Sequence, residues 1–325
     1  LAFVRINSLL SIGVFMPDNS LIASVVVAVH GNAGDLPGLI RSLRQQTIRA
    51  GLFELVVVDN HAEPTIDPAW FGETAFRCRL IHEPVLGLSR ARNAGIRAAA
   101  GKFILVTDPD SVPDRSWVQS LVGALTDEGA LIAGGRAIPL LPADRVLDLR
   151  LRQWFVPPMW PARTQELVSP YWIVGCNMGL RRTDPLLLFD ENLGAVGSRH
   201  RSCEDLELVI RAQRAGRRVI VVPGAIVHRT VTYADLRLAA LLSRAFWHGV
   251  SVAQLRRTIA AQYLLDSYRL RDVLRERGHL ARFTHLARLA GFQGSRLAAL
   301  AHRPAARVYS TTPSSQARKE AEQNA

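Results

Sequence analysis

Lysine is nearly absent from this chain. Only Lys102 and Lys319 occur among 40 basic residues, so the net charge of +12 is carried by arginine. Cysteine is scarce too: Cys78, Cys176 and Cys203 show no C-x-x-C spacing. That excludes a disulfide framework and a thiolate zinc site, and it points to a reducing compartment. No apolar run reaches the roughly 18 residues needed to cross a bilayer. The first twenty residues, LAFVRINSLLSIGVFMPDNS, place only Arg5 before an apolar stretch and contain no small-residue cleavage signal, so the expected location is cytoplasmic. The turn HGNAGD also lacks the lysine that a triphosphate loop would need, which argues against a nucleotidyltransferase.

What remains is ordinary globular material. With 325 residues, 48% of them hydrophobic, the chain can bury one large core or one domain with an appendage. The charge is uneven: from Tyr233 onward there are 15 Lys/Arg against 6 Asp/Glu, which accounts for +9 of the total. A basic C-terminal region could meet nucleic acid, anionic lipid or a phosphorylated substrate, or be a solvated helical surface.

The chain is organised around FILVTDPDSVPDRSW, residues 103–117. Phe103 to Thr107 reads as a short buried strand. It breaks into Asp108, Pro109 and Asp110, two carboxylates on a stiff spacer. Holding them together at the end of an apolar strand is costly unless a cation neutralises them. Hard oxygen ligands of this kind suit Mg²⁺ or Mn²⁺. The alternative is a plain polar turn.

Around this stretch the pattern is that of a βαβ sheet. Ser24 to Val29 is a β-branched run suited to a strand covered on both faces. Leu36, Leu39, Ile40 and Leu43 then share one helical face, with Asp35 at the N-cap position. Phe53 to Val58 and Arg79 to His82 read as strands. Gly87 to Gly101 reads as a helix, with Ser89 its cap and Gly101 its stop. Ligands in open α/β sheets sit beyond the carboxyl ends of the strands. Asp59 and the Asp108/Asp110 pair fall at such ends, so three acids are expected to line one crevice. Further on, Ser116 to Leu125 predicts a helix and Ala130 to Ala137 a strand. Pro139 to Pro170 is irregular, with exposed-looking aromatics at Trp154, Phe155 and Trp160. Tyr171 to Leu180 predicts a strand, Glu204 to Gly216 a helix, and Arg218 to Val222 and Ala225 to Arg229 two strands. Tyr233 to about Ala301 predicts helices broken at Gly278 and Gly291, and the final residues a disordered tail.

In order, VVVDN, GLSRARNAG, TDPDSVPDRSW, VGCNMGLRR, CEDLELVIRAQRAG and VHR resemble the motifs of the family 2 glycosyltransferases, over about Ser24 to Thr230. The resemblance implies an α/β GT-A fold, a Rossmann-like mixed sheet, here at 24–232. A 1–23 extension precedes it, and a basic helical region at 233–305 and a tail at 306–325 follow. It also implies a UDP-, GDP- or dTDP-linked sugar donor, a divalent cation and inversion at the anomeric carbon. Asp59 matches the nucleotide-binding position. Arg92 and Asn93 match an ARN motif near the diphosphate and the nucleotide-binding Asp. Asp108 and Asp110 match the DxD pair, with Asp110 the stronger metal ligand, and His228 matches a residue that completes metal coordination. Glu204 and Asp205 match the ED motif, whose Asp is the base. Arg181 and Arg182 are further candidates to hold the diphosphate.

Two departures bear on the acceptor. The glycine-rich loop before the ED motif is here LLLFDENLGAVG, and the QxxRW motif of processive synthases is missing. Transfer of a single sugar to a hydroxyl of a small-molecule or lipid-linked acceptor is therefore expected, rather than polymer synthesis. The competing reading is a basic peripheral-membrane or nucleic-acid binding protein with a non-catalytic GT-A domain. Acids at the strand ends oppose nucleic acid, since they repel phosphates without a metal.

Overall fold

The computed structural model describes residues 21–31, 35–146, 155, 160–168, 173–182, 187–258 and 279–301. Expectations for Trp154, Gly278, most of the 1–23 extension and the tail lie outside these residues. Among the described residues the strands form one nine-stranded mixed sheet, ordered β3-β2-β1-β4-β8-β6-β9-β5 with β7 paired to β9. The strands are β1 Ala23–Val29, β2 Phe53–Asp59, β3 Arg77–His82, β4 Phe103–Thr107, β5 Ser111–Pro113, β6 Ile132–Leu140, β7 Gln165–Glu166, β8 Met178–Arg181 and β9 Val219–Thr230. The helices are α1 Leu36–Leu43, α2 Leu88–Ala98, α3 Trp117–Asp127, α4 Glu204–Arg214, α5 Leu238–Thr258 and α6 His279–Ala301.

The parallel half, β3-β2-β1-β4, is the predicted βαβ unit. Every residue of β1 and β2 is buried, which is why both are mostly apolar; buried Glu54 is paired with the Ser24 hydroxyl at 2.7 Å. Alternation divides their side chains between two cores. Val25, Val27 and Val29 pack with α1 and with Trp117, Val118 and Leu121 of α3. Val26, Val56, Ile104 and Val106 face the other layer, with Ile96 of α2 and Leu208, Val209 and Ala212 of α4.

Several local expectations are corrected. Asp35 makes no capping bond. Ser89 is the second residue of α2 and not its cap, a position held by Gly87, and its hydroxyl donates to the Leu193 carbonyl at 2.8 Å. α2 ends at Ala98, and Gly101 instead permits close approach to β1: a Cβ there would sit 2.4 Å from the Ala23 carbonyl carbon. The two strands expected at 218–229 are one strand, β9, whose pairing with β6 shifts register between Gly135 and Arg136. Buried Asn177 holds that irregularity, donating to the carbonyls of Arg136 and Ala225 and accepting from the Trp117 indole. Phe155 is buried with Val231 and Leu241 beneath the Arg244 guanidinium, and Trp160 packs on the second core.

The C-terminal helices are part of this packing. Leu193, Cys203, Val252, Phe292 and their neighbours form a cluster between α4, α5 and α6. α5 and α6 cross backbone to backbone at two glycines. A Cβ on Gly249 would lie 2.0 Å from the Arg288 carbonyl oxygen, and one on Gly291 2.0 Å from that of Phe246. Side chains at these crossings would force the helices apart. Gly291→Val should therefore cost about 1–3 kcal/mol, read as a lower urea midpoint, whereas the same change at exposed Gly294, with nothing near it, should cost less than the crossing does.

Candidate active site

A crevice opens at the carboxyl ends of β1, β2 and β4. It is lined by His30, Asp35, Asn60, Gly87, Asp108, Pro109, Asp110, Ala195, His200 and Arg229, among others. The DxD pair is therefore where the strand reading placed it. The third acid is Asp35, carried in by the loop after β1, and not Asp59.

Asp59 is 1% exposed, and both its oxygens are engaged. Oδ2 accepts the N–H groups of Thr65 and Ile66 at 2.6 and 2.9 Å, and Oδ1 lies 2.6 Å from His61 Nδ1. Burial raises its pKa, but His61 and the two amides outweigh burial and hold it below the usual carboxylate value. His61 Nε2 accepts the Gly31 N–H at 2.9 Å, so the proton is on Nδ1, facing Asp59. Asp59 thus ties the loops after β1 and β2 together. Its neighbour Asn60 reaches the crevice and closes the turn before α2, accepting from Gly87 N and donating to the carbonyls of Glu83 and Val85.

Arg92 is not a helix-surface residue. It is 1% exposed and links the two halves of the site, with Nη2 2.9 Å from Asp108 Oδ1 and Nη1 2.9 Å from Glu204 Oε1. Burial opposes its charge, but Asp108 and Glu204 outweigh burial, and its pKa is raised. The guanidinium lies over the Phe189 ring. Asn93 exchanges two hydrogen bonds with the Phe189 backbone and donates to Glu191, positioning the segment that leads to the ED motif. It holds the site's frame and does not line the crevice.

Glu204 and Asp205 open α4. Burial and the adjacent Asp205 push Glu204 up to about 7, against the pull of Arg92. Burial also raises Asp205, although its Oδ2 accepts the Gly175 N–H at 2.9 Å and its Oδ1 the Leu206 N–H at 2.7 Å. Cys203 precedes them at φ 72°, the one positive-φ non-glycine residue among those described. The C-terminal helices support that strained turn: Ser202 meets His248 Nδ1 at 3.0 Å, and its N–H donates to Ser251 at 2.9 Å. Burial lowers His248 to about 3, so it acts there as a neutral partner.

Three other expected residues lie elsewhere. His228 faces Asp114, with Nε2 3.0 Å from Oδ1, and does not join the DxD pair. The adjacent strand position, Arg229, takes that place, with Nε 3.2 Å from Asp110 Oδ2. Arg181 and Arg182 do not reach the crevice. β8 runs antiparallel to β4, so its last residues pair with the start of β4. There Arg181 donates to the carbonyls of Ala130 and Leu125, and Arg182 to that of Ala99. Sequence reading missed Asp35 and Arg229 as lining residues. The parity of VHR along a strand carried the signal for Arg229.

Residues 24–183 match the family described as Glycosyl transferase family 2. The uncharacterized glycosyltransferase Rv0539 of Mycobacterium tuberculosis is 30% identical over 197 residues, 61% of this chain and 81% of that protein. The chain belongs to glycosyltransferase family 2.

The pre-mycofactocin glycosyltransferase of Mycobacterium tuberculosis is 29% identical to this chain over 245 residues. That alignment covers 71% of this chain, which spans about half (47%) of that relative's length. The fold is the GT-A fold of two solved structures on which it superposes. Staphylococcus aureus TarS 1–349, crystallised with UDP-GlcNAc, superposes with a TM-score of 0.54 at 17% identity, over 86% of this chain and 73% of TarS. The mannosyltransferase PcManGT of Pyrobaculum calidifontis, in complex with GDP-Man and Mn²⁺, gives 0.51 at 17% identity, over 93% and 83%.

The family 2 chain should show a pH signature from Glu204. Its native pKa of about 7 exceeds the ordinary 4.5, so the folded state holds a proton the unfolded chain releases. The stability from this group is complete below about pH 4.5 and is lost as pH rises through about 7. Urea midpoints should fall across that window, and Glu204→Gln should flatten the fall. An unchanged slope in the variant would assign the titration to another group.

Proposed function

We propose that this chain is an inverting glycosyltransferase that moves one sugar from a nucleoside-diphosphate donor to a hydroxyl of a small-molecule or lipid-linked acceptor. The observation that carries the reading is Arg92, which joins the DxD aspartate at the crevice to the ED motif through two charge-assisted hydrogen bonds. TarS and PcManGT, in complex with UDP-GlcNAc and with GDP-Man and Mn²⁺, support a nucleotide-sugar donor, UDP-, GDP- or dTDP-linked.

A divalent cation suits the residues present. Asp110 Oδ1 is buried without a partner, beside a second carboxylate at Asp108 and across from Asp35. Asp108 and Asp110 would hold Mg²⁺ or Mn²⁺, which when bound supplies positive charge to the diphosphate oxygens. His228, turned to Asp114, is not assigned to that set. Asp59 and Asn60 fix the loops that would receive the nucleoside.

The reaction needs a base on the side opposite the leaving group. Asp205 accepts the acceptor O–H proton while that oxygen bonds to the anomeric carbon. The bond from that carbon to the diphosphate oxygen breaks with its electron pair on the oxygen. The raised pKa of Asp205 makes it a stronger base than an exposed aspartate. Glu204 takes no proton from the acceptor; it holds Arg92, which positions Asp108.

Thermal shift with Mn²⁺ and a panel of UDP-, GDP- and dTDP-sugars should single out the donor, because a ligand of the native state raises apparent stability. With that donor, Asp110→Ala should abolish metal-dependent binding. Asp205→Asn should bind donor normally and lose about 10²–10⁴-fold in turnover. Normal transfer by Asp205→Asn would refute the base assignment.

Peripheral membrane contact through the C-terminal helices is favoured by one observation. Phe283, Leu286 and Leu297 are 53, 43 and 66% exposed, and helical spacing sets them on one side of α6. No helix of the described residues is long and apolar enough to cross a membrane. Flotation with anionic vesicles should be lost when these three residues become glutamate; flotation unchanged by the substitutions would remove this reading.

A further inference from the structure

Arg229 is the one cationic guanidinium lining the crevice among the described residues, and the reading above leaves it unused. It is the eleventh residue of β9, paired with Ser111 of β5. Strand alternation sends His228 to Asp114 and turns Arg229 to the DxD side. Only its Nε has a partner, Asp110 Oδ2 at 3.2 Å. The guanidinium's two amino groups, with the rest of its five N–H donors, make no hydrogen bond among the described residues. The side chain is one-third exposed, and what it faces is the crevice.

A diphosphate entering that crevice meets three carboxylates, Asp35, Asp108 and Asp110, all of which repel it. Arg92 cannot offset them, because its amino groups are occupied by Asp108 and Glu204 and it is buried. Arg229 can. Its Nε bond to Asp110 fixes the plane of the guanidinium in advance, so little side-chain entropy remains to be lost when phosphate oxygens bind. A planar fork with two unused amino groups matches two phosphate oxygens, which a lysine would meet only as a point charge. Burial opposes its charge, but Asp110 and Asp108 outweigh burial and keep Arg229 firmly protonated.

We propose that Arg229 binds the donor's diphosphate directly, giving the protein a component of nucleoside-diphosphate affinity that requires no metal. This rests on the nucleotide-sugar reading and adds a residue and a binding mode to it. Arg229 and a cation on Asp110 Oδ1 would use opposite oxygens of one carboxylate, so the two charges act side by side.

The test is equilibrium binding of UDP, GDP and dTDP to the full chain, in Mn²⁺ and in EDTA, with the matching nucleosides as controls. The wild type should keep measurable diphosphate binding in EDTA, well above that of the nucleosides. Arg229→Ala should lose about tenfold or more of it, the size of one charge-assisted contact, while Arg229→Lys keeps part. Asp110→Asn should respond in the opposite sense: it loses the Mn²⁺ enhancement and retains the EDTA-resistant binding. Three results would overturn the proposal: wild-type binding that vanishes in EDTA, Arg229→Ala within twofold of wild type in EDTA, or Asp110→Asn losing both components alike. Any of these with intact Mn²⁺-dependent binding leaves the donor reading standing. Failure of all three nucleotides in both conditions removes the donor reading and this proposal together.

Discussion

The guanidinium of Arg92 is an arginine charge sealed beneath the sheet's carboxyl edge, and the site is arranged around neutralising it. Removing a charge from water costs several kcal/mol, which good geometry to opposite charges must offset. Here Asp108 arrives from the end of β4 and Glu204 from the start of α4, each 2.9 Å away. The ring of Phe189 lies across the guanidinium, and Gly175 comes so close that a Cβ would meet Nη1 at 2.7 Å. Separating the DxD strand from the ED helix would strand a charge in the interior. The two carboxylate motifs therefore act as one rigid unit, although 95 residues separate their first members in the chain.

Parity along the strands decides which neighbour reaches the crevice. Asp59 and Asn60 are consecutive, yet the first turns into its own loop and the second faces the ligand space. His228 and Arg229 are likewise consecutive, and only Arg229 meets Asp110. A one-residue slip would exchange every such pair, so register is as consequential for the chemistry as residue type. The buried Asn177 matters for that reason: it satisfies the carbonyls at the register shift between β6 and β9, upstream of Arg229.

The basic C-terminal helices are structural neighbours of the ED motif. Ser251 and His248 of α5 hold Ser202, next to the left-handed Cys203, and α6 is locked to α5 by close crossing at Gly249 and Gly291. Strain of this kind persists only where the surroundings over-determine it. The helices thus help to set the direction in which Glu204 and Asp205 enter the site.

The parallel half of the sheet, the helices over it and the DxD turn at its edge were legible in the residues, because apolar runs, 3.6-residue periodicity and turn chemistry are local signals. So were the acids of the ED motif as a helix start. The partners were not legible. Nothing near Arg92 in the chain announces that it is buried between Asp108 and Glu204, and nothing near Asp110 announces Arg229. Asp35 looked like a cap because its local sequence allows one, and Ser89 likewise, until packing gave each another role. Arg181 and Arg182 looked like phosphate ligands until the antiparallel course of β8 carried them to the far end of β4. Local pattern determines which segments become strands and helices, and which family the chain joins. Only tertiary structure decides which charge neutralises which, because electrostatic pairing depends on distance and burial in space and not on separation along the chain.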